Sequence, residues 1–504
     1  MTAAVLIAYY ALLCGLALYG VHRLVLLGTL ARPRRAPAET PSLQSAEGEL
    51  PRVTVQLPIY NERLVAGRLL AAAANLDYPA HLLDIQVLDD STDSTSDLLA
   101  AQVGELRAKG LDVHHVRRTE RAGYKAGALA EGLRESQGEL VAIFDADFVP
   151  PPDFLRRTVP YFQREDVGMV QACWGHINRR SSLLTRAQAA LLDGHFLVEH
   201  QARARAGRFF NFNGTAGIWR RAAIVGAGNW QHDTLTEDLD LSYRAQLAGW
   251  RFVFLPALIA PAELPPSLTA FKSQQSRWTR GSVQTLRKLG RRILSASEPR
   301  ATRAEALAHL TSNFCYVMLV ALAALFFPAL WLRRELLADP LWTRVDLALL
   351  LASTGAVALF YLESGRRAGR GLVRSLVLLP AVMALGTGLS LHNALAALGG
   401  LRQRGGEFVR TPKARDEGSG PVEQTVYVAR PSRSTPLEVA FASYLGACLG
   451  GAIVTQLWFA VPFLALFCGG FSWVGLGSLA ERRFKARPSQ PSSQPAVAQA
   501  ARAA

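Results

Sequence analysis

Four short motifs carry residue types able to do chemistry together. The first, Asp89-Asp90-Ser91-Thr92-Asp93, stands where an apolar strand is expected to end and a helix to begin. Acidic and hydroxyl side chains at such a junction can simply cap the helix. Alternatively, a carboxylate at a strand end can accept hydrogen bonds from a nucleotide base or ribose. The second motif, Asp145-Ala146-Asp147, directly follows the apolar run Leu140 to Phe144. Alternate residues of an extended chain point the same way, so both carboxylates can face one ligand. Two like charges so close need a cation to join them. Mg²⁺ or Mn²⁺ fits, because hard cations take carboxylate oxygens and share diphosphate oxygens. An Asp-x-Asp pair also arises by chance, and only its position after a buried strand raises its value.

The third acidic motif is Thr236-Glu237-Asp238, preceded by the glycine-containing stretch Asn213-Gly214-Thr215-Ala216-Gly217. A hydroxyl that attacks an electrophilic carbon must lose its proton, and a positioned carboxylate is the ordinary base for that step. A threonine followed by acids also resembles a helix N-terminus. The fourth motif is Gln274-Gln275-Ser276-Arg277-Trp278. On a helix Gln274, Arg277 and Trp278 share a face and present an amide, a guanidinium and an indole. Such a face suits a sugar and a leaving diphosphate; a helix lying at lipid headgroups would carry the same residues. Between the first two motifs, Gly123-Tyr124-Lys125-Ala126-Gly127 offers backbone for close approach and a lysine to neutralise phosphate charge.

The elements that must hold these motifs alternate between strand and helix from Pro51 to about Pro266. Apolar strands are expected at Val53 to Leu57, Asp84 to Leu88 and Leu140 to Phe144, and helices at Arg63 to Asn75, Ser94 to Lys109 and Ala126 to Ser136. The alternation predicts a mostly parallel, doubly wound α/β sheet with ligands at the carboxyl ends of its strands, where the motifs lie.

The rest of the chain is built for lipid. Half of the 504 residues are hydrophobic, and they gather into long runs: Ala3 to Val21, Leu307 to Leu332, Val345 to Leu362, Leu372 to Leu401 and Val439 to Leu479. The net charge of +15 comes from arginines flanking those runs rather than from one basic face, which argues for a membrane protein and against a nucleic-acid partner. Positive residues follow the first run, so the N-terminus is expected outside and a cleaved signal peptide is disfavoured. The segment Arg402 to Arg433 and the tail with Arg482, Arg483, Lys485 and Arg487 are expected in the cytoplasm. An outside start and an inside end require an odd number of crossings. Val439 to Leu479 is long enough for two spans, so the runs would give six crossings; Pro380, His392 and Asn393 make Leu372 to Leu401 the segment that does not cross plainly, which leaves five. Four of the five cysteines sit in apolar runs and none has metal-ligand spacing.

In order and spacing, Asp89-Asp90, Asp145-x-Asp147, Thr236-Glu237-Asp238 and Gln274-x-x-Arg277-Trp278 resemble the D, DxD, TED, QxxRW series of processive family 2 glycosyltransferases. Pro58-Ile59-Tyr60-Asn61-Glu62, Gly123-Tyr124-Lys125-Ala126-Gly127-Ala128-Leu129 and Phe212-Asn213-Gly214-Thr215-Ala216-Gly217 are similar to the cellulose synthase-like glucomannan and mannan synthases in particular. The resemblance is dense from Pro51 to Leu289 and covers the membrane part in outline. It implies a GT-A fold, a cytoplasmic catalytic domain, Mg²⁺ or Mn²⁺, and inversion of a UDP- or GDP-linked α-sugar to a β-glycoside. Carried over, Glu62, Asp89 or Asp90, Lys125 and Asp145 would bind the nucleotide sugar, and Asp147 with Asp145 would hold the metal. Asp238, beside Glu237, would be the base; Gln274, Arg277 and Trp278 would flank acceptor and diphosphate. Phe408-Val409-Arg410-Thr411-Pro412-Lys413 resembles the gating loop FxVTxK, with Arg410 in place of its valine.

The resulting expectation is an N-terminal transmembrane helix (1–31), a linker (32–50), a GT-A domain (51–266) and interfacial helices (267–300). Membrane helices with a gating-like loop at 402–437 follow (301–480), then a cytoplasmic tail (481–504). Its partners would be a nucleotide sugar, a glycan acceptor and the bilayer of a plasma or inner membrane. A non-processive glucosyltransferase acting on a lipid acceptor is the main rival. A catalytically dead scaffold is disfavoured by intact acids in all three acidic motifs.

Overall fold

The computed structural model describes residues 2–32, 50–334, 340–403, 405–406, 413 and 432–485. The expected linker at 33–49, most of the gating-like loop and the tail beyond 485 lie outside the described residues.

Seven strands form one sheet: β1 (Val53–Ile59), β2 (Leu83–Asp89), β3 (Val113–Arg117), β4 (Leu140–Ile143), β5 (Val167–His176), β6 (Gly217–Arg220) and β7 (Arg251–Ala262). Their order is β3-β2-β1-β4-β6-β5-β7. The first four run parallel; β6 alone is antiparallel, between β4 and β5, and β5 pairs parallel with β7. Strands covered on both faces need apolar residues on both, and alternate positions divide between the two sides. Leu140, Ala142 and Phe144 join the cluster containing Val53, Val55 and Leu57, whereas Val141 and Ile143 join Leu129, Leu133 and Trp219 on the opposite face. The polar residues in these strands pair with each other: Gln56 Nε2 donates to Gln86 Oε1 at 3.0 Å and Thr54 Oγ1 to Asp84 Oδ1 at 2.9 Å.

A long helix α1 (Thr2–Ala31) precedes the sheet. Helices α2 (Ala66–Ala74), α3 (Thr95–Ala108), α4 (Tyr124–Glu135), α5 (Phe154–Thr158), α6 (Leu183–Gly194), α7 (Gln201–Arg205), α8 (Arg221–Gly226) and α9 (Glu237–Leu247) are interleaved with its strands. A π-helical turn, His195–His200, joins α6 to α7. The 28-residue helix α10 (Leu268–Ser295) then leads to α11 (Arg300–Thr311) and α12 (Phe314–Leu332). After these come α13 (Pro340–Leu350), α14 (Ala356–Arg367), α15 (Leu372–Gly388), α16 (Ser390–Arg402), α17 (Thr435–Val454) and α18 (Val461–Lys485).

Five stretches are long and apolar enough to cross a membrane: Thr2–Ala31, Phe314–Leu332, Arg344–Arg367, Thr435–Val454 and Val461–Arg482. The pair α15 and α16 is bent by 43° at its break, as suits a broken span or a re-entrant segment. Large apolar residues left exposed, such as Ile7, Leu18, Val377 and Val454, concentrate on these helices, where lipid rather than water can cover them.

Two expectations need correction. The apolar run from Leu307 to Leu332 supplies one candidate span, but it begins only at Phe314, because Ser312-Asn313 separates α11 from α12. Ala306 and Leu310 of α11 pack with Tyr243, Leu289 and Ile293, so the apolar side of α11 faces α9 and α10 and not lipid. The last helix also carries on through Lys485, past the boundary expected after Ala480.

Candidate active site

The carboxyl ends of β1, β2 and β4 open onto one cleft, at the point where the chain has laid β2 and β3 on one side of β1 and crosses to lay β4 on the other. The cleft encloses about 140 Å³ and is lined by Glu62, Asp90, Lys125, Asp145, Asp147, Glu237, Asp238, Gln274, Arg277 and Trp278. Every motif expected from the sequence therefore contributes to one wall.

At one end Asp90 is gripped by the Arg118 guanidinium, whose Nε donates to Oδ1 at 2.9 Å and whose Nη2 donates to Oδ2. Asp89 lies behind it, 1% exposed, with Oδ1 accepting from the Ser91 amide at 2.8 Å and Oδ2 2.9 Å from His115 Nε2. Burial pushes the Asp89 carboxyl up, but hydrogen bonds from His115, Ser91 and Ser96 outweigh it and hold the group at about 2. Of the two acids the sequence left open, Asp90 is the one on the cleft wall. The capping role falls to Asp93, which accepts from the Thr95 amide at 2.9 Å. Arg121 lies 3.4 Å over the centre of the Tyr60 ring, and both line the cleft.

In the middle stand the paired acids. The Asp145 amide donates to Thr215 Oγ1 at 2.8 Å, and its carboxylate accepts from Lys125 Nζ at 2.5 Å. Lys125 Nζ also donates to the Gly214 carbonyl at 2.9 Å. Burial alone would lower the Lys125 pKa; Asp145, Glu237 and Asp238 around it raise it. Asp147 Oδ2 accepts from Lys413 Nζ at 2.7 Å and from the Glu263 amide at 3.3 Å. Each carboxylate of the pair is thus matched by one ammonium. Among the described residues no cluster of three or more His, Cys, Asp or Glu side chains is arranged to hold a metal. Two hard oxygen donors fit Mg²⁺ or Mn²⁺, which complete their shells with phosphate oxygens and water, and do not fit an all-protein cage.

Asp238 lies on the first turn of α9, and the Thr236 side chain before it makes no capping hydrogen bond. Thr236 instead packs against the backbone of Gly281 on α10, where a β-carbon would collide with it. The Leu235 amide donates to Gln284 Oε1 at 2.9 Å, and Lys288 Nζ of α10 lies 3.0 Å from Asp240 Oδ1 of α9. Those ties fix α9, with its acids, against the helix that bears Gln274, Arg277 and Trp278. Gly214 has a φ of +82°, and a β-carbon there would lie 3.0 Å from Asp238 Oδ2. Only glycine lets the loop come so close to that carboxylate. Burial first, and Glu237 second, push the Asp238 carboxyl up to about 7, against the opposing pull of Lys125 and Arg277.

At the other end Trp278 faces Trp174 of β5 with ring centres 6.4 Å apart, and Trp174 meets Phe148 edge-on at 5.3 Å. Carboxylates, lysine, arginine and an aromatic wall thus converge on one space, among them Asp238, whose carboxyl is held up at about 7 by burial.

Residues 51–281 match the family described as Glycosyltransferase like family 2. Glucomannan 4-beta-mannosyltransferase 2 of Arabidopsis thaliana is 35% identical over 455 residues, which cover 84% of this chain and 81% of that protein. Probable glucomannan 4-beta-mannosyltransferase 9 of Oryza sativa subsp. japonica is 34% identical over 435 residues, 82% of this chain and 79% of the relative. The chain is a family 2 glycosyltransferase of the cellulose synthase-like group. The fold of the transferase is shared with a mannosyltransferase from Pyrobaculum calidifontis, solved in complex with GDP-Man and Mn²⁺. That likeness has a TM-score of 0.52 at 23% identity and covers 75% of this chain and 98% of the other.

Several residues of the transferase's cleft escaped the sequence reading. Trp174 and His176, two apart on β5, line it, and that alternation on a strand was the available signal. Arg118, the partner of Asp90, acts through its neighbour and leaves no signal of its own; Thr215 lay within the motif Asn213 to Gly217, but its part as the anchor of Asp145 comes only from the fold.

The raised Asp238 pKa gives the transferase a pH dependence of definite sign. A base works only when ionised, so kcat/KM should climb from the acid side through about pH 7, and Asp238→Asn should lack that limb. A wild-type profile flat from pH 5.5 to 8.5, measured with saturating cation, would contradict the assignment.

Proposed function

We propose that this enzyme transfers hexosyl units from a UDP- or GDP-sugar to a growing β-linked glucan, mannan or glucomannan. The observation that carries the reading is Asp238, which shares a single cleft with the Lys125–Asp145 pair and the Trp174–Trp278 wall. The diphosphate would lie along Lys125, with Arg277 and Lys413 to balance its charge. Asp145 and Asp147 would hold Mg²⁺ or Mn²⁺, which when bound adds positive charge against the leaving diphosphate. Asp238 takes the proton from the acceptor hydroxyl as that oxygen attacks the anomeric carbon from the face opposite the diphosphate, which inverts the α-sugar to a β-glycoside. Trp278 and Trp174 offer apolar ring faces to the acceptor sugar and keep bulk water from competing with it. The names of the plant relatives favour 4-linked β-mannosyl transfer, and the archaeal neighbour's GDP-Man favours a guanosine donor.

A polymer is favoured over a single addition by a second cavity among the apolar helices, reached by Gln275 beside the cleft residue Gln274. A hydrophilic chain can cross lipid only through such a lined path. The enzyme would thus be an integral membrane protein of a plasma or inner membrane, with five crossings and with the catalytic domain, residues 402–433 and the C-terminus in the cytoplasm. The deciding experiment incubates the purified protein with radiolabelled UDP- and GDP-sugars and Mg²⁺ or Mn²⁺, and sizes the product over time. Lengthening chains are expected; a one-sugar glycolipid as sole product would establish the lipid-acceptor rival. Cysteines introduced near positions 410 and 487 should resist labelling from outside intact cells, and labelling of either refutes the orientation.

A further inference from the structure

The cavity among the apolar helices encloses about 340 Å³. On α1 its lining residues Tyr9, Leu13, Leu16, Tyr19 and Arg23 recur every three or four positions. It therefore follows one face of that helix, for ~21 Å at 1.5 Å per residue. Its near end, at Gln275 and Arg23, adjoins the catalytic domain, where Arg23 Nη1 lies 3.4 Å from Glu199 Oε1. Its far end is lined by Asp346.

Asp346 stands two residues into the candidate span Arg344–Arg367, and an ionisable residue within a span is costly, needs a partner and by default marks a functional position. The partner of Asp346 is Arg333, immediately beyond α12. Its Nη1 donates to Oδ1 at 2.9 Å and its Nη2 to Oδ2. The Tyr10 hydroxyl of α1 donates to the same Oδ1 at 3.3 Å and accepts from Arg333 Nη1. Arg333 is 1% exposed and Asp346 8%. Asp346 lines the cavity itself, and Tyr10 of α1 and Arg333 just beyond α12 hold its carboxylate from two other segments that border the cavity. A buried ion pair seldom adds stability over apolar packing, so stability alone does not account for this one.

We propose that Tyr10, Arg333 and Asp346 form a hydroxyl-binding station that closes the far end of the glycan path. In the resting protein the three groups satisfy one another. When an uncharged, polyhydroxylated β-linked chain arrives, its hydroxyls take over those hydrogen bonds and the chain leaves the bundle. The station rests on the polymer reading above.

The test uses the full-length enzyme in liposomes with donor sugar and a short β-linked oligosaccharide primer. Tyr10→Phe, and Arg333→Met combined with Asp346→Leu, should add the first sugar to the primer at the wild-type rate, because the station is remote from the cleft. Once chains are long enough to reach it, elongation should slow about tenfold, the scale of one lost hydrogen bond to a charged group. Products should then pile up at a short length. Long products formed at the wild-type rate overturn the proposal, and so does an equal fall in first-sugar addition and long product, which is what general damage to the fold gives. Tyr10→Phe removes a single oxygen and keeps the question answerable where the double variant fails to fold. A wild-type enzyme that makes only a one-sugar glycolipid overturns the polymer reading itself, independently of the station.

Discussion

Asp238→Asn is expected to bind nucleotide as the wild type does and to turn over at least about 100-fold more slowly, the scale of losing a positioned general base. Asn keeps the shape of the side chain and its hydrogen bond with the Leu239 amide, which Asp238 Oδ1 accepts at 2.8 Å. What it removes is the ability to take a proton. The change should not cost stability, and at pH 8 it should add some. The Asp238 pKa is raised in the folded state, so its contribution to folding is complete below the unfolded value near 3.8 and is lost as pH rises through about 7. The melting temperature of Asp238→Asn at pH 8 should therefore equal or exceed that of the wild type while activity collapses. Turnover within threefold of wild type would end the assignment of Asp238 as base.

The second large effect is on the cation. EDTA should abolish transfer and added Mg²⁺ or Mn²⁺ should restore it, because two carboxylates and a diphosphate on one cleft wall repel one another without a hard divalent ion. Asp147→Asn should behave as the chelated enzyme does even at millimolar cation. Full activity in EDTA would remove the metal from the mechanism and leave charge balance to Lys125, Arg277 and Lys413 alone.

The sequence revealed the catalytic half of the molecule because parallel strands write themselves plainly. Leu140 to Ile143 must be apolar on both faces, and whatever polar residue follows such a strand is aimed at the cleft. Asp145, Asp147 and the Asp89-Asp90 pair as a whole were readable for that reason. Whether Asp89 or Asp90 reaches the cleft was not readable, since it depends on His115 and Arg118, residues of and just beyond β3 that tertiary pairing alone brings near. The membrane half was legible as apolar runs and no further. The break at Ser312-Asn313 consists of two small polar residues inside an apolar run, and periodicity does not say that α11 turns its apolar side toward Tyr243 and Ile293. Lys413 lay within a motif similar to a gating loop, yet its contact with Asp147, 266 positions away in sequence, could come only from the folded chain.

That contact and its counterpart, Lys125 on Asp145, bear on the order in which ligands bind. A free divalent cation meets two acids whose charge is already neutralised by one ammonium each, and it gains less from them than from bare carboxylates. A diphosphate offers both ammoniums a new partner and so frees the acids in the same event. Cation and nucleotide should therefore enter as one complex and depart as one. Kinetically, the cation–nucleotide complex is then the true substrate, and free cation in excess should neither activate the empty enzyme nor protect it from heat.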